Sequence, residues 1–476
     1  MNKASAVWFL IILAVTSIAL IDNVNAADSF HGIISSSVTW TKVNSPYTLD
    51  GPAAVASGVT ITVEPGVTVN LNGHYLQVNG TLIARGTESE KIYFNNGQVI
   101  ITSSATSGSI FENTVTNSLQ TSATVKITKN TFNTLSAGGS SIVTATEVIE
   151  TCTLSDSAQL KSNNINARIV VKRGSVEISN NRLSDGIHCD MGGGHVTITN
   201  NEIRNRNAYS LILVAGGDAD ISNNRLIGDY TSNGITIWGS YHSGIQTNAK
   251  IVENQISNCK TAIALSYCWA EIKRNAIYNN DLGIDIAIGS SFQIPAPGTN
   301  PLDIEQNTVT KNVVGVQFQP EGLTATISNN NIQDNTDYNF KLVSSEDVTI
   351  ANNWWGTTST AQITQKIYDE GFDFNLGKVN FDPISNYPVA QAPAVPADIP
   401  TPTQTATPTP TTPSTNPTTM PTETAPPTTL PTQSGNQPSF DLNTVEVAIL
   451  AVLIIIAVLI VALILTIRRR KSPVCG

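Results

Sequence analysis

Two acidic side chains recur at a spacing that suits acid–base chemistry. Glu177 and Asp220 take the same place in two copies of an eight-residue phrase, VEISNNRL and ADISNNRL, with a third copy between them. If each copy is one layer of stacked strands, the carboxylates lie roughly 9–10 Å apart, at the upper limit for an acid and a base that hydrolyse a glycosidic bond with inversion. Nearby, His188, Asp190 and His195 lie in GIHCDMGGGH, which we interpret as a turn. We predict that the chain is not an enzyme; catalysis by Glu177 and Asp220 is the alternative.

Aromatic side chains offer a second kind of chemistry, the binding of sugars through apolar ring faces. Two connections between strands, 238–248 and 287–301, are much longer than the others, and long loops on a rigid scaffold commonly carry function. We predict that the side chains in or beside them gather on one edge and bind a ligand: Trp238, Tyr241, His242, Tyr267, Trp269 and Phe292. The alternative is that these rings only pin the two long loops.

The elements that must position these side chains are visible as a repeat. The phrase apolar-x-apolar-x-x-Asn-x-apolar returns at least ten times between about residues 125 and 355, mostly 18 to 23 residues apart. Its asparagines are Asn130, Asn163, Asn181, Asn201, Asn224, Asn254, Asn275, Asn307, Asn330 and Asn353. The period-2 pattern predicts short half-buried strands, and the fixed period predicts the coils of a solenoid. We place each asparagine in the tight turn at a corner, where equivalent amides bond each other as a ladder.

A second row of inward polar residues follows the first by five residues. It comprises Asn280, Asn312 and Asn335, with Cys259 in the same place. Two outward rows read as solvated faces of mixed charge: one contains Asp220, Lys250 and Glu271, and the other contains His188, Ile212 and Asp285. We expect replacement of a mid-ladder asparagine to destabilise the fold, and replacement of the terminal Asn130 to be better tolerated.

The pattern resembles the right-handed parallel β-helix repeat of the pectate-lyase-like superfamily. It is more closely similar to the NosD-type and disaggregatase-related surface proteins of archaea and bacteria. The resemblance covers roughly residues 30–388, and its most specific pieces are WTKVNSPYTL, VEPGVTVNLNG, LQVNGTLIARGT, NNWWG and IYDEGFDFNLGKVNFDP. It implies an all-β fold, a single-stranded right-handed parallel β-helix. The chain departs from the enzymes of the superfamily, because it lacks their Asn-Thr-Asp, Gly-His-Gly and Arg-x-Lys combinations and their clustered aspartates with a partner arginine.

The two ends of the chain predict its location. Residues 1–26 have the basic start, apolar centre and small final residue of a cleaved signal peptide. Residues 439–467 form the predicted transmembrane segment, with an uncharged core at 447–467, and the basic tail 468–476 stays in the cytoplasm. Between them we expect the β-helix ectodomain, 27–388, and a Pro/Thr-rich disordered stalk, 389–438. This arrangement is that of a single-pass type I membrane protein.

Within the ectodomain we expect opening coils at 27–100, asparagine-ladder coils at 101–355 and a C-terminal cap at 356–388. Trp355 takes the inward place of earlier aliphatic residues and Trp354 faces outward, so both are assigned to closing the rod. Residues 360–369 are expected to form a short amphipathic helix over the last coil. The alternative for the two tryptophans is a role in ligand binding.

The amino-acid composition limits the classes of partner that we expect for this protein. Charged residues make up 13% of the chain and the net charge is −10, so we expect no nucleic-acid partner. Cys152 and Cys259 are expected in asparagine-like slots, and Cys189 in an inward strand position; we interpret these and Cys268 as buried free thiols, with a Cys259–Cys268 disulfide as the alternative. No CxxC pair is present, so we expect no metal, and no cofactor is indicated. The sequence predicts a structural or carbohydrate-binding role at the cell surface, with envelope polysaccharide or surface-layer components as partners, and a surface-displayed polysaccharide enzyme as the alternative.

Overall fold

The chain winds into parallel strands that stack coil upon coil. The computed structural model describes residues 29–106, 108–204, 208–239, 247–266, 268–287, 302–319 and 325–396. Within these ranges, 38 strands form one continuous sheet and two more form a small separate one. The predicted signal peptide, transmembrane segment and tail lie outside them, as does the predicted stalk after residue 396. In the described ranges, no helix combines the length and apolar character needed to cross a membrane.

Each full coil has three strand segments, which we call faces one, two and three in chain order. Face one precedes the repeated asparagine, face two follows it, and face three completes the coil. The strands of face one are Val38–Trp40, Thr60–Val63, Thr81–Arg85, Ser109–Glu112, Val125–Thr128, Ile142–Thr144, Gln159–Lys161, His195–Thr199, Gly217–Ser222, Thr247–Val252, Cys268–Lys273, Leu302–Glu305 and Ala325–Ser328. Those of face two are Thr68–Asn70, Asn164–Ile165, Arg182–Leu183, Glu202–Arg204, Arg225–Ile227, Gln255–Ser257, Ala276–Tyr278, Thr308–Thr310 and Asn331–Gln333.

Face three runs the length of the described rod. Its strands are Tyr75–Val78, Ile187–Asp190, Ser210–Ala215, Asn233–Trp238, Thr261–Ser266, Leu282–Ala287, Val314–Gln319, Tyr338–Leu342 and Ile367–Tyr368. The first strand, Ser29–Ile34, begins on face two and ends on face three. Some longer strands turn from one face to the next: Tyr47–Val55, Ile92–Ile101, Thr114–Thr121, Thr131–Ala137 and Glu147–Asp156 serve faces two and three, and Arg168–Ser179 serves faces three and one. A 3-10 helix at Lys42–Asn44 and an α-helix at Thr360–Thr364 complete the described elements.

The interior is built from columns of like side chains, because each strand pairs in register with its equivalent in the next coil. One column on face three runs through Ile187, Ile212, Ile235, Ile263 and Ile284, all 1% exposed or less. This column corrects the sequence analysis, which put Ile212 in an outward row. The partner of outward His188 is Leu213, one residue later. A shift of one residue reverses the face of a strand, so the spacing of the phrases left this position ambiguous.

The corner between faces one and two depends on a left-handed residue. The residue immediately before each ladder asparagine has a φ between 53° and 62°, as at Asn180, Glu253 and Arg274. The repeat alone predicts the tight turn at the ladder asparagine itself. The structure places it one position earlier, and this frees the ladder side chain to point inward. Among residues other than glycine, asparagine tolerates this conformation well, and it occupies several of these positions.

The inward asparagines form a hydrogen-bonded ladder. From Asn163 to Asn330, each donates its backbone N–H and its Nδ2 to Oδ1 of the asparagine one coil further on, at 2.9–3.1 Å. Each Nδ2 also donates to a carbonyl one coil back, for example from Asn254 to Ile221 at 2.9 Å. Between Asn130 and Asn163 lies one extra coil, in which Thr146 takes the asparagine slot. Because the amides bond across every coil, the ladder ties the layers together along the rod.

A shorter ladder runs along the corner between faces two and three. Cys259 donates its backbone N–H to Asn280 Oδ1 at 2.9 Å, and the series continues through Asn312 to Asn335. Each of these residues again follows a left-handed one. Cys152, by contrast, stacks between Leu135 and Ile169 in an apolar column of face three. The expectation of an asparagine-like slot for Cys152 is therefore wrong.

The four described cysteines are buried free thiols. Burial raises the pKa of Cys152, Cys259 and Cys268 to about 12, and it raises the pKa of Cys189 as well. A neutral buried thiol is unreactive, because the thiolate is the nucleophile. The predicted alternative, a Cys259–Cys268 disulfide, is not formed.

We expect the Cys475→Ser variant, which removes the thiol of the tail, to show no titratable thiol at pH 8 when folded and four when unfolded in guanidinium. Unfolded thiols ionise near a pH of roughly 8.5, whereas the folded ones stay protonated to about pH 12. The folded state binds more protons in this window, so its stability should fall as pH rises from about 9 towards 12. Absorbance with a thiol reagent gives the count. A count of two after unfolding would mean that two of the four cysteines form a disulfide, and it would contradict the assignment of four free thiols.

The C-terminal end of the rod is covered by residues 352–383. Trp355 is 3% exposed and its ring lies 6.4 Å from that of Phe381, whereas Trp354 is half-buried beside the face-two strand. The helix Thr360–Thr364 leads into Ile367–Tyr368, which pairs with the last full strand of face three. Lys366 Nζ donates to the carbonyls of Thr336 at 2.8 Å and Asn335 at 3.2 Å. A separate pair, Val348–Thr349 and Val379–Asn380, closes face one.

Beyond this covering, residues 385–393 form a strap that runs back along face two. Asn331 accepts the Val389 N–H at 2.7 Å and donates to the Val389 carbonyl at 3.3 Å. One coil lower, the Thr308 hydroxyl donates to the Pro393 carbonyl at 2.6 Å. Folded contacts therefore continue past residue 388, where the sequence places the start of the stalk.

Candidate functional site

Two grooves flank the corner between faces three and one. Trp238 ends the face-three strand Asn233–Trp238 and pairs in register with Ser266 of the next coil. Trp269 lies near the start of the face-one strand Cys268–Lys273, three residues after Ser266, and pairs with Asn248. The two tryptophans therefore lie on opposite sides of one corner, with the Asn254 coil between their own coils, and each lines its own groove.

Buried hydrogen bonds fix the backbone at this corner. Thr247 is fully buried, and its hydroxyl donates to the Trp238 carbonyl at 2.9 Å and accepts the Gly216 N–H at 3.0 Å. Gly239 donates its N–H to the Ser266 carbonyl at 2.9 Å. Trp238 is consequently held on a rigid strand end, although its own side chain is exposed.

The face-three groove has a volume of about 370 Å³. Trp238 and Tyr209 contribute two exposed aromatic rings, 49% and 68% exposed. Around them lie the polar side chains Thr231, Asn233, Thr236, Lys260, Thr261, Ser266 and Asp285. Apolar ring faces bordered by hydroxyl, amide and charged groups match the alternating apolar and polar surface of a sugar.

Asp285 is the most perturbed acid of this groove. Burial raises its pKa, while a hydrogen bond from Gln317 at 3.2 Å and the charge of Lys341 lower it. Asp285, Gln317 and Lys341 are register partners on successive coils of face three. A partly buried carboxyl group with a raised pKa can donate a hydrogen bond as well as accept one.

The face-one groove also has a volume of about 370 Å³ and is richer in charge. Lys273 contacts Asp303 at 2.7 Å and Glu271 at 3.4 Å, and the hydrogen bond with Asp303 is the main cause of its raised pKa. Trp269 is half-buried, and its buried Nε1 has no hydrogen-bond partner among the residues that the structure describes. The face-one groove therefore presents the half-buried ring of Trp269 beside charged side chains that pair with one another.

Glu177 and Asp220, the two carboxylates considered as a catalytic pair, each contact a different basic side chain. Glu177 and Asp220 are register partners of Thr197 on either side, so they are two coils apart. Glu177 lies 2.8 Å from Lys161, and Asp220 lies 3.3 Å from His195 and lines the face-one groove. His188 occupies the outward row of face three and does not meet them.

Four of the six predicted ligand-binding residues lie outside the described residues: Tyr241, His242, Tyr267 and Phe292. Sequence reasoning missed Tyr209, which lies just before the strand Ser210–Ala215 rather than in a long loop. It placed Asp285 in an outward row, but its partial burial depends on neighbouring coils and could not be read from spacing. Over the parts of the chain that the structure describes, no cluster of three or more His, Cys, Asp or Glu side chains is arranged to hold a metal ion.

A groove larger than these two lies elsewhere, along the outer side of the corner between faces one and two. Its volume is about 1050 Å³, and its ionisable lining side chains are Glu88, Lys91, Lys129, Glu147, Arg182 and Glu202. No aromatic ring lines it, and its charges are balanced. We therefore place the candidate site at the smaller grooves, where exposed rings and a perturbed carboxyl group meet.

Comparison with known proteins identifies part of the rod. A family model described as "Right handed beta helix region" matches residues 185–355. This segment contains Trp238, Trp269 and Asp285, and the long parallel sheet of the structure agrees with the match. Neither the curated proteins nor the solved structures contain a match to the chain.

Proposed function

We propose that this right-handed parallel β-helix is displayed on a cell surface and binds carbohydrate, with a structural or adhesive role in the envelope. The partner would be an envelope or extracellular polysaccharide, or a glycosylated component of a surface layer. The observation that carries the proposal is the face-three groove, in which Trp238 and Tyr209 expose their rings beside Lys260 and Asp285. An exposed apolar patch that is rimmed by polar residues, as these two rings are, commonly marks a binding site.

The proposed location rests on the ends of the sequence. The apolar segment 447–467 is followed at once by Arg468, Arg469 and Arg470, which favours a membrane anchor with a cytoplasmic tail. The leader-like residues 1–26 favour export of the bulk of the chain. The resemblance to NosD-type and disaggregatase-related surface proteins supports the same location. Immunolabelling of intact cells, with the epitope between residues 29 and 388, tests it.

Replacing Trp238 by Ala should lower the affinity of the full-length protein for its glycan by roughly tenfold, because a tryptophan at the centre of a contact often dominates binding. The ring is 49% exposed, so the melting temperature should change little. A glycan array followed by titration calorimetry measures the effect. Tyr93→Ala, which removes a 39% exposed ring on face two, is the matched control. Unchanged binding in Trp238→Ala, or an equal loss in the control, would contradict the site.

A polysaccharide-cleaving enzyme is the second candidate, and Asp285 is the observation that favours it. An acid whose pKa is raised by burial can carry the proton that a glycosidic oxygen accepts during cleavage. The test compares product release from polysaccharide by the unaltered protein and by Asp285→Asn. Cleavage that is lost while binding is kept would support the enzyme, and an unaltered protein that releases no product would exclude it.

A further inference from the structure

The C-terminal end of face three carries a second group of aromatic rings, in which Phe372 is exposed and Tyr338 and Tyr368 are half-buried. Tyr368 and Phe372 stack with their centroids 5.5 Å apart and an interplanar angle of 24°. Tyr338 meets both edge-on, at 5.1 Å from Tyr368 and 5.6 Å from Phe372. We call these three residues the aromatic platform. Phe372 is 54% exposed, so the platform is open to solvent rather than part of the core.

The loop that carries Phe372 is held in place by Asp369. One carboxylate oxygen accepts the Gly371 N–H at 2.9 Å, and the other accepts the Val379 N–H at 3.1 Å. The N–H of Glu370 donates to the Gly377 carbonyl at 3.0 Å, which closes the loop. Phe374 lies in this closed loop and is 89% exposed. An apolar ring kept almost entirely in water by a braced loop contributes little to folding, so a binding role accounts for it better.

The platform lies on the same outward row as the face-three groove. Strand register links Thr236, Ala264, Asp285, Gln317, Lys341 and Tyr368 in order along successive coils. Five steps at about 4.8 Å each place Tyr368 ~24 Å from Thr236, which lies at the Trp238 end of the groove. Between the two, the row presents a carboxyl group, an amide and an ammonium group, and Lys341 Nζ lies 5.6 Å from the centre of the Tyr368 ring. The row therefore has rings at both ends and hydrogen-bonding groups between them.

We propose that the aromatic platform is a second sugar-binding subsite, and that the ligand is a linear glycan lying along face three from Trp238 to Phe374. The inference rests on the proposed carbohydrate binding and adds the shape of the ligand. Stacking on rings at both ends requires sugars with flat apolar faces, as in beta-1,4-linked glucose or N-acetylglucosamine, whose ring substituents are equatorial. The polar row between the rings suits sugar hydroxyls better than the apolar side chains of a protein partner.

The experiment compares glycans of two lengths on the full-length protein. The probes are the beta-1,4-linked hexasaccharides and disaccharides of glucose and of N-acetylglucosamine, titrated by calorimetry. The variants are Phe374→Ala, Phe372→Ala combined with Phe374→Ala, and Trp238→Ala, with Tyr93→Ala as the control. Because Phe374 is 89% exposed, its replacement leaves the fold intact, and the melting temperature of each variant checks this.

A hexasaccharide that contacts both ring groups should bind the double variant on the order of tenfold more weakly, with a smaller loss for Phe374→Ala. The disaccharide is too short to contact both ring groups at once, so its binding in the Trp238 groove should be the same in these two variants as in the unaltered protein. Trp238→Ala should weaken both probes. Hexasaccharide affinity that is unchanged in both platform variants would overturn the second subsite while leaving the proposed function in place. If the unaltered protein binds no hexasaccharide, both the linear-glycan ligand and this inference are overturned. An affinity that depends on the platform but not on Trp238 would instead overturn the proposed site at Trp238.

Discussion

Deletion of residues 352–383 should make the β-helix, residues 27–388, aggregate. These residues cover the last open strand edges: Trp354 accepts the Ile332 N–H at 2.9 Å on face two, and Lys366 accepts the Asn339 N–H at 2.7 Å on face three. Without them, backbone donors and acceptors of the last coil face water in a flat row, which is a template for pairing with another chain. The deletion also exposes the apolar column that Trp355 covers. Solenoids need such terminal covering to stay soluble.

Light scattering and gel filtration of the purified variant measure this outcome. The matched control is Phe374→Ser, which alters the same segment but removes only an exposed ring and leaves every strand edge covered. We expect the control to remain monodisperse. A soluble, monodisperse deletion variant would show that residues 352–383 are not needed to close the rod.

The fold could be predicted from the sequence because the repeat is dictated by local chemistry. Each phrase supplies three inward apolar residues and one inward amide, and stacking of the coils buries the apolar residues and pairs the amides. A coil that lacks the repeated asparagine cannot be recognised from the phrase. Thr146 takes the place of an asparagine: its hydroxyl accepts the N–H of Asn130, and its own N–H donates to Asn163 Oδ1. The interval from Asn130 to Asn163 therefore contains one coil more than the asparagines indicate. The interval from Asn224 to Asn254 has almost the same length but is a single coil with an insertion.

The candidate site was harder to predict because it depends on distances along the rod rather than along the chain. Long loops direct attention to Trp238 and Trp269, yet the structure divides these residues between two grooves. The aromatic platform joins Tyr338 to Tyr368 and Phe372, which are about one coil apart and carry no repeat of their own. The raised pKa of Asp285 arises from burial, which a sequence does not give. Periodicity predicts register, but it does not predict which outward rings are left uncovered.

Replacing Asn254 by Leu should lower the free energy of unfolding by about 3 kcal/mol, near the upper end of the ~1–3 kcal/mol cost of leaving a buried polar group unpaired. Asn254 Oδ1 accepts both the N–H and the Nδ2 of Asn224 at 3.0 Å. Its Nδ2 donates to the Ile221 carbonyl at 2.9 Å and to Asn275 Oδ1 at 3.1 Å. Leucine fits the volume but supplies none of these bonds, so unpaired groups remain on both neighbouring coils. Denaturant unfolding followed by circular dichroism measures the loss.

Asn248→Leu on the same coil separates the ladder from the mere loss of an amide. Asn248 is exposed, and its Nδ2 donates to Asp218 at 2.7 Å, so this change should stay within about 0.5 kcal/mol. Asn130 offers a further comparison. The sequence predicts tolerance there, but Asn130 Oδ1 accepts both the N–H and the hydroxyl of Thr114 at 2.9 Å, and its Nδ2 donates to the Phe111 carbonyl at 3.0 Å. We therefore expect Asn130→Leu to destabilise nearly as much as Asn254→Leu. Equal stabilities for Asn254→Leu and Asn248→Leu would mean that the ladder does not hold the coils together.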